Sequence, residues 1–250
     1  MQEIWTGKEG KVLGLFSRPA NHILCISSAA YSSLPRSLNK RAELLVNAHQ
    51  DSGKMIVSRP TRGPLRFVVA SRWNAWKGHR TLLEAWDAET APGELVILGG
   101  PPPIGEGTDI PALVANLRHP ESVSVVGEVA DIEAHLDVAD FLILPSDSPE
   151  PFGLVVLEAF ARGRSVIASR AGGVVDVVTD GSDGRLYEIK NVEALRSILQ
   201  SVDRQQAIQM GSNARQTYEQ KFSIFAYRKR FANFWERILE SRESRERAHS

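Results

Sequence analysis

The sequence predicts an α/β fold built on a doubly wound parallel sheet, and three observations predict it. From about Leu65 onward, short runs rich in β-branched residues alternate with longer helical ones. The short runs are apolar throughout instead of alternating apolar with polar, the pattern of strands covered on both faces. The segments between them are long enough to cross the sheet and return in parallel. In such sheets ligands sit beyond the carboxyl ends of the strands, so chemistry is to be sought just after each strand.

Taken in order, "LRFVVAS" (65–71) is the first strand of this region and "KGHRTLLEAWDAE" its crossover helix. The pairs "ELVILGG" and "IPALVANL", "SVSVVGEV" and "DIEAHLDVA", and "DFLILPS" and "FGLVVLEAFARG" repeat the unit; "SVIAS", "GVVDVV" and "GRLYEI" close it. The loop "GGPPPIGEG" (99–107) is too rich in proline and glycine for regular structure. Ahead of the sheet, "HILCISSAA" reads as a strand running into a helix and "AELLVNA" as another strand, but two strands make no independent core. "QDSGKMIVSRPTRGP" (50–64) carries breakers and reads as a linker. After residue 190 the chain turns helical. It ends in "FSIFAYRKRFANFWERILE", where Phe222, Phe225, Tyr227, Phe231, Phe234 and Trp235 form a broad aromatic face, and in a final ten residues expected to fray. The organisation is therefore 1–59, a short leading segment with its linker; 60–220, the sheet domain; and 221–250, a terminal helix and tail.

At 250 residues and 42% hydrophobic the chain can bury a full core. Thirty basic residues balance thirty acidic ones, so no net charge draws it to nucleic acid or anionic lipid, and basic chemistry must be local. The single cysteine, Cys25, forms no internal disulfide, which fits a reducing compartment. The start lacks the apolar segment of a signal peptide, and no run approaches the roughly 20 apolar residues of a spanning helix. A soluble, cytoplasmic protein is expected.

The stretch "EPFGLVVLEAF" opens on Glu150 and sets a second acid, Glu158, inside an apolar helical run. Pro151 suits a helix start, so Glu150 lies on the loop after "DFLILPS" and Glu158 about two turns inside. Between them, the backbone amides of "FGLV" and the positive end of the helix dipole make an anion site. A buried carboxylate needs hydrogen-bond donors, and sugar hydroxyls are suitable ones. The alternative is that Glu158 emerges on the solvent side and Glu150 only favours the dipole. In "SRWNAWKGH" (71–79), Arg72 and Lys77 fall at the same carboxyl edge. A guanidinium fork and a mobile ammonium together suit a diphosphate, although as a lone pair they are more often surface charges. His79 reads as a helix-surface residue. Gly172 and Gly173 allow either a close backbone approach or a plain turn. No Asp-x-Asp pair follows a strand as a metal-bound donor needs, and the six histidines have no zinc-like spacing.

With these residues in place, the sequence resembles the family-four retaining glycosyltransferases. "EPFGLVVLE" matches their E-x7-E motif, and the likeness runs through "SRWNAWKGHRTLLEAW", "VSVVGEVADIEAHLDVADFLILPS", "ARGRSVIASRAGGVVDVV" and "GSDGRLYEI" over about residues 20–240. The resemblance implies the GT-B fold, two facing Rossmann-like domains, with this chain mainly the C-terminal donor-binding domain. It implies retaining, metal-independent transfer of a sugar from a UDP- or GDP-linked donor to a glycan or lipid-linked acceptor, with no cofactor, and bacterial polysaccharide or glycolipid assembly as the usual setting. Carried over by position, Arg72 and Lys77 bind the diphosphate, Glu150 holds donor-sugar hydroxyls at the reaction centre and Glu158 the ribose hydroxyls. The backbone amides of Phe152, Gly153, Leu154 and Val155 meet sugar and phosphate, and Gly127, Glu128 and Val129 face the base.

The sequence also departs from that family. Only the last strand, helix and strand of an acceptor-side domain are expected in residues 1–59, so the chain reads as a truncated or half enzyme. "LLVNAHQD" places His49 and Gln50 where the family has an Asn-Gly-x-Asp turn, and Asp176 stands for a glutamate, a minor change. A binding module that keeps the nucleotide-sugar pocket without catalysis is the alternative, and an epimerase explains the E-x7-E motif less well. The aromatic terminal helix is expected to pack on protein: residues 1–55, a second copy, or a partner chain carrying an acceptor domain. Arg228, Lys229 and Arg230 beside its aromatics leave open a peripheral contact with the inner membrane face.

Overall fold

The computed structural model describes residues 4, 7–56 and 60–249, the side chains of 7–9, 13 and 241–249 excepted. The leading segment forms α1 (Gly7–Phe16), β1 (Ile23–Cys25), α2 (Ser28–Ser32) and β2 (Ala42–Leu44), with β1 and β2 paired in parallel. The main sheet follows: β3 (Arg66–Ala70), β4 (Glu94–Leu98), β5 (Val123–Gly127), β6 (Phe141–Leu144), β7 (Ser165–Ser169) and β8 (Gly184–Tyr187). Its six strands are parallel and ordered β5-β4-β3-β6-β7-β8. The chain moves outward from β3 in one direction and then returns to start again at β6. The gap between the carboxyl ends of β3 and β6 is therefore the topological switch point, where a crevice opens in such sheets.

The strands bury both faces, which is why they read as unbroken apolar runs. Val68, Leu142, Leu144, Val166 and Ala168 face one core with Leu136 of α5 (Glu133–Val138) and Val156, Leu157 and Phe160 of α6 (Leu154–Ala161). Their immediate neighbours Phe67, Val69, Phe141, Ile143 and Ile167 face the other. There they pack with Leu82, Leu83 and Trp86 of α3 (His79–Trp86), Ile110 and Val114 of α4 (Ile110–Ala115), Leu195, Ile198 and Leu199 of α7 (Val192–Ser201) and Ala207 of α8 (Arg204–Thr217). Phe67 stacks on Phe141 at 5.6 Å and meets Trp86 edge-on at 5.4 Å. The run "GVVDVV" becomes a single 3₁₀ turn, Gly173–Asp176.

The two leading strands persist because they share a core with the larger sheet. Ile23, Cys25, Ile26, Ala30, Leu34 and Leu38 belong to the same buried cluster as Leu144, Phe152 and Val174. The expected linker is pinned rather than loose: Arg162 donates to the carbonyls of Lys54 (3.0 Å) and Met55 (3.2 Å), and Asp51 pairs with Arg215 at 2.6 Å. Residues 57–59 of that linker lie outside the described residues.

The terminal helix differs from expectation in two respects. A π turn, Tyr218–Phe222, precedes α9 (Ile224–His249) and swings Phe222 inward, where it is buried edge-on against Phe152. Phe234 is buried too and Tyr227 half-buried, so Phe225, Phe231 and Trp235 remain exposed from the expected face. Instead of fraying over the last ten residues, the helix continues to His249, through a sequence rich in Glu and Arg, both good helix formers. Among the described residues no helix is long and apolar enough to cross a membrane.

Candidate functional site

The crevice at the switch point is a cleft of about 510 Å³. Ala70, Ser71, Arg72, Asn74, Trp76 and Lys77 line it from the end of β3, and Leu144 with Glu150–Val155 line it from the end of β6. Ile26 and Asn47 of the leading segment complete the wall. A larger hollow of about 630 Å³ lies at the opposite, amino edge, between Pro60, Thr61 and Asp203–Gln209, away from every residue singled out by sequence.

The β3 loop is a 3₁₀ turn, Ala75–Lys77, closed by Gly78 at φ 74°. A Cβ at Gly78 would sit 1.8 Å from the Pro145 carbonyl oxygen, so only glycine lets the β3 and β6 loops touch here. The contact is continued by the Asp147 amide, which donates to the Trp76 carbonyl at 2.7 Å. The same close approach brings the Lys77 ammonium to both oxygens of Glu150, at 3.1 and 2.9 Å. Ser146, itself fully buried, donates its hydroxyl to Glu150 at 2.9 Å. The Lys77 ammonium also lies 4.2 Å above the Trp76 ring. Arg72 is exposed and, among the described residues, its guanidinium has no hydrogen-bond or ion-pair partner.

Helix α6 begins at Gly153, φ 84°, and its first amides, on Leu154 and Val155, lie on the cleft wall with no partner inside the helix. The positive end of the helix dipole, Arg72 and Lys77 thus line one cleft, with the Lys77 charge held by Glu150, an arrangement that fits an anion able to draw the ammonium off that carboxylate. Behind it, the question of Gly172 and Gly173 resolves to a close approach. The Gly173 amide donates to the Glu150 carbonyl at 2.7 Å, and a Cβ on Gly172 would come within 2.0 Å of that oxygen.

Glu158 is half-buried one turn deeper than Leu154 and does not line the cleft. Burial, with a smaller push from the Glu133 carboxylate, raises its carboxyl above the usual glutamate range. Gly127, Glu128 and Val129 stand at the same carboxyl edge, two strands away: the Gly127 carbonyl accepts from the Gly99 amide at 2.7 Å, and the exposed Glu128 side chain lies against Gly100. They too fall outside the cleft wall.

One expectation needs correction. His79 is fully buried, not on the helix surface, because the Gly78 turn folds the first residue of α3 under the β3 loop. Its Nε2 lies 3.4 Å from Ser71 Oγ and its Nδ1 has no partner, while burial, assisted by the neighbouring Lys77 charge, lowers its pKa to about 4. Asp176 accepts from both the amide and the hydroxyl of Ser28, each at 2.6 Å, and so ties the leading segment to the sheet. Sequence reasoning missed Ser146, Trp76 and Asn47. Ser146 had one available signal, its place four residues before Glu150 on the same loop.

The family described as "Glycosyl transferases group 1" matches residues 64–202. Among curated proteins, a glycogen synthase of Xanthomonas oryzae pv. oryzae is 37% identical over 147 residues, 57% of this chain and 28% of that protein. N-acetyl-alpha-D-glucosaminyl L-malate synthase of Bacillus anthracis is 32% identical over 124 residues, 48% of this chain and 32% of that protein. The matched stretches thus span less than a third of these relatives' length. Among solved structures, Anabaena HepE in complex with UDP superposes with a TM-score of 0.83 at 19% identity, over 94% of this chain and 71% of that one. Sucrose-phosphate synthase from Thermosynechococcus elongatus gives 0.80 at 23% identity, over 93% and 62%. At that identity these two show a shared fold.

Proposed function

We propose, because this chain belongs to the glycosyl transferases group 1 family, that its cleft binds a nucleoside diphosphate sugar and that the sugar is transferred to a glycan or lipid-linked acceptor with retention of configuration and without a metal. The observation that carries the reading is the meeting of Lys77, Glu150 and the α6 N-terminus across the switch point. HepE, at low identity, was solved with UDP and with UDP-glucose, which supports a UDP-type donor in the corresponding fold.

In this reading the diphosphate lies against the Leu154 and Val155 amides, with Arg72 and Lys77 offsetting its charge. Glu150 takes donor-sugar hydroxyls, Glu158 the ribose hydroxyls, and Gly127, Glu128 and Val129 the base. The bond from the anomeric carbon to the phosphate oxygen breaks while the acceptor oxygen bonds to that carbon on the same face. The acceptor's proton passes to the departing phosphate oxygen, and the two cations stabilise the charge that develops there.

Calorimetry of the purified chain with UDP and with GDP tests the donor half of the reading, with Arg72→Ala as control. Binding that prefers one base and is lost in Arg72→Ala is expected; binding of neither overturns it. Turnover of a UDP- or GDP-sugar with an acceptor glycan separates an enzyme from a binding module, which binds and does not transfer.

A further inference from the structure

Trp76 is 37% exposed and is built into the wall of the cleft. Its backbone is fixed, since its carbonyl accepts from the Asp147 amide at 2.7 Å and it lies within the 3₁₀ turn Ala75–Lys77. Its ring face is occupied by the Lys77 ammonium at 4.2 Å, within the range of a cation–π contact. That same ammonium is bonded to Glu150, so it sits between an aromatic face and a carboxylate. A lysine on a flexible four-carbon stem is a mobile point charge, and holding it in one place costs rotamer entropy. With only the carboxylate as partner, the ammonium must either stay on Glu150 or swing free into water.

We propose that Trp76 is a positioning residue that acts through Lys77: its ring carries the ammonium beside the cleft so that the charge can pass from Glu150 to the diphosphate without leaving the wall. The inference rests on the nucleotide-sugar reading and adds to it a residue that neither the E-x7-E motif nor the basic pair contains. Bringing the ammonium off Glu150 also frees the carboxylate oxygens for sugar hydroxyls, so one small movement readies both groups. The ring makes that movement short, because the cation remains on its face in either position.

The test is a double-mutant cycle on the whole chain, read as affinity for UDP and for GDP by calorimetry. Because Trp76 is partly exposed, Trp76→Leu is expected to fold, and an unchanged circular dichroism spectrum checks this. Trp76→Leu is expected to weaken binding roughly 3- to 30-fold, the range of a cation–π contact from exposed to desolvated. Trp76→Phe, which keeps an aromatic face, restores most of the loss. In a Lys77→Met background Trp76→Leu adds nothing. Should Lys77→Met bind too weakly to measure, the same cycle is read in the unliganded chain by chemical denaturation, where a coupling between the two positions is expected. A loss in Trp76→Leu that persists in Lys77→Met overturns the proposal, because the ring then touches the ligand or the fold directly. No loss, or no coupling in the unliganded chain, overturns it as well. Failure of the wild-type chain to bind either nucleotide is a different result, and removes the nucleotide-sugar reading together with this inference.

Discussion

The Lys77 ammonium spans both oxygens of Glu150, at 3.1 and 2.9 Å, although 73 residues separate the two in the chain. The side chains are 16% and 11% exposed, so the pair is neither a free surface contact nor a fully dry one. Removing one partner leaves the other charge largely desolvated. Lys77→Met is expected to cost about 1 to 3 kcal/mol, between the values of exposed and buried pairs. The double variant Lys77→Met with Glu150→Gln recovers most of that, since no lone charge remains and Ser146 still has a partner. Urea unfolding of the single and double variants measures both. A double variant as unstable as Lys77→Met shows that the cost lies in packing rather than charge.

Glu158 sets stability against binding. Burial raises its carboxyl pKa, so between the unfolded and the raised folded value the native state holds the proton more tightly than the unfolded chain. Stability therefore falls as pH rises through that window, and above it the charged, poorly solvated carboxylate remains a cost. Glu158→Gln is expected to raise the urea midpoint at pH 7 and to remove this part of the pH dependence. If the carboxylate holds ribose hydroxyls, the same change weakens UDP or GDP binding about 10-fold or more. Higher stability with unchanged affinity contradicts the ribose role and leaves the stability argument standing.

His79 gives the opposite slope. Its pKa is lowered to about 4 from 6.5, so below about pH 6.5 the unfolded chain takes up a proton that the native state refuses. Stability rises with pH across this window and is lost on acidification, by about 3 kcal/mol between pH 6.5 and 4 at roughly 1.4 kcal/mol per unit. His79→Leu removes that loss while leaving stability near pH 8 little changed, because the Nδ1 it deletes has no partner and the Nε2 contact it deletes, to Ser71 Oγ, is long at 3.4 Å. Denaturation midpoints at a series of pH values for both chains give the comparison. Parallel profiles rule out His79 as the source.

These residues also show what the linear sequence reveals. The strands are legible because burial on both faces leaves an unbroken apolar signature: Phe67 and Val69 face one core, Val68 the other. The cleft residues are legible because parallel order sends every strand's carboxyl end to one edge, so Arg72, Lys77 and Glu150 must share it. His79 is not, because its burial depends on Gly78 pressing against Pro145, a contact between loops 67 residues apart. Ser146 is missed for a related reason: its place four residues before Glu150 gains meaning only once the β6 loop turns back to set it under that carboxylate. The inward turn of Phe222 follows from a π turn, which hydrophobic spacing at 3.6 residues does not signal.

The contact between Ser28 and Asp176 decides whether the leading segment behaves as part of the six-stranded domain. Asp176 receives two hydrogen bonds from Ser28, one from the backbone and one from the hydroxyl, both at 2.6 Å. Ser28 opens α2, whose residue Ala30 lies in the core shared with Phe152 and Val174. Ile26 and Asn47, which flank this unit, line the cleft. Loss of the Asp176 carboxylate leaves a helix amide and a hydroxyl without their acceptor, at a cost of about 1 to 3 kcal/mol. The cost falls first on the smaller, two-stranded unit, because the six-stranded sheet keeps its own core. Asp176→Ala is therefore expected to speed amide exchange across 23–45 while β3, β6 and β7 stay protected. The cleft then loses one wall, and UDP or GDP affinity falls even though Asp176 does not line it. Uniform loss of protection over both units indicates instead that they unfold as one cooperative body, with the Ser28 contact contributing to the stability of the whole.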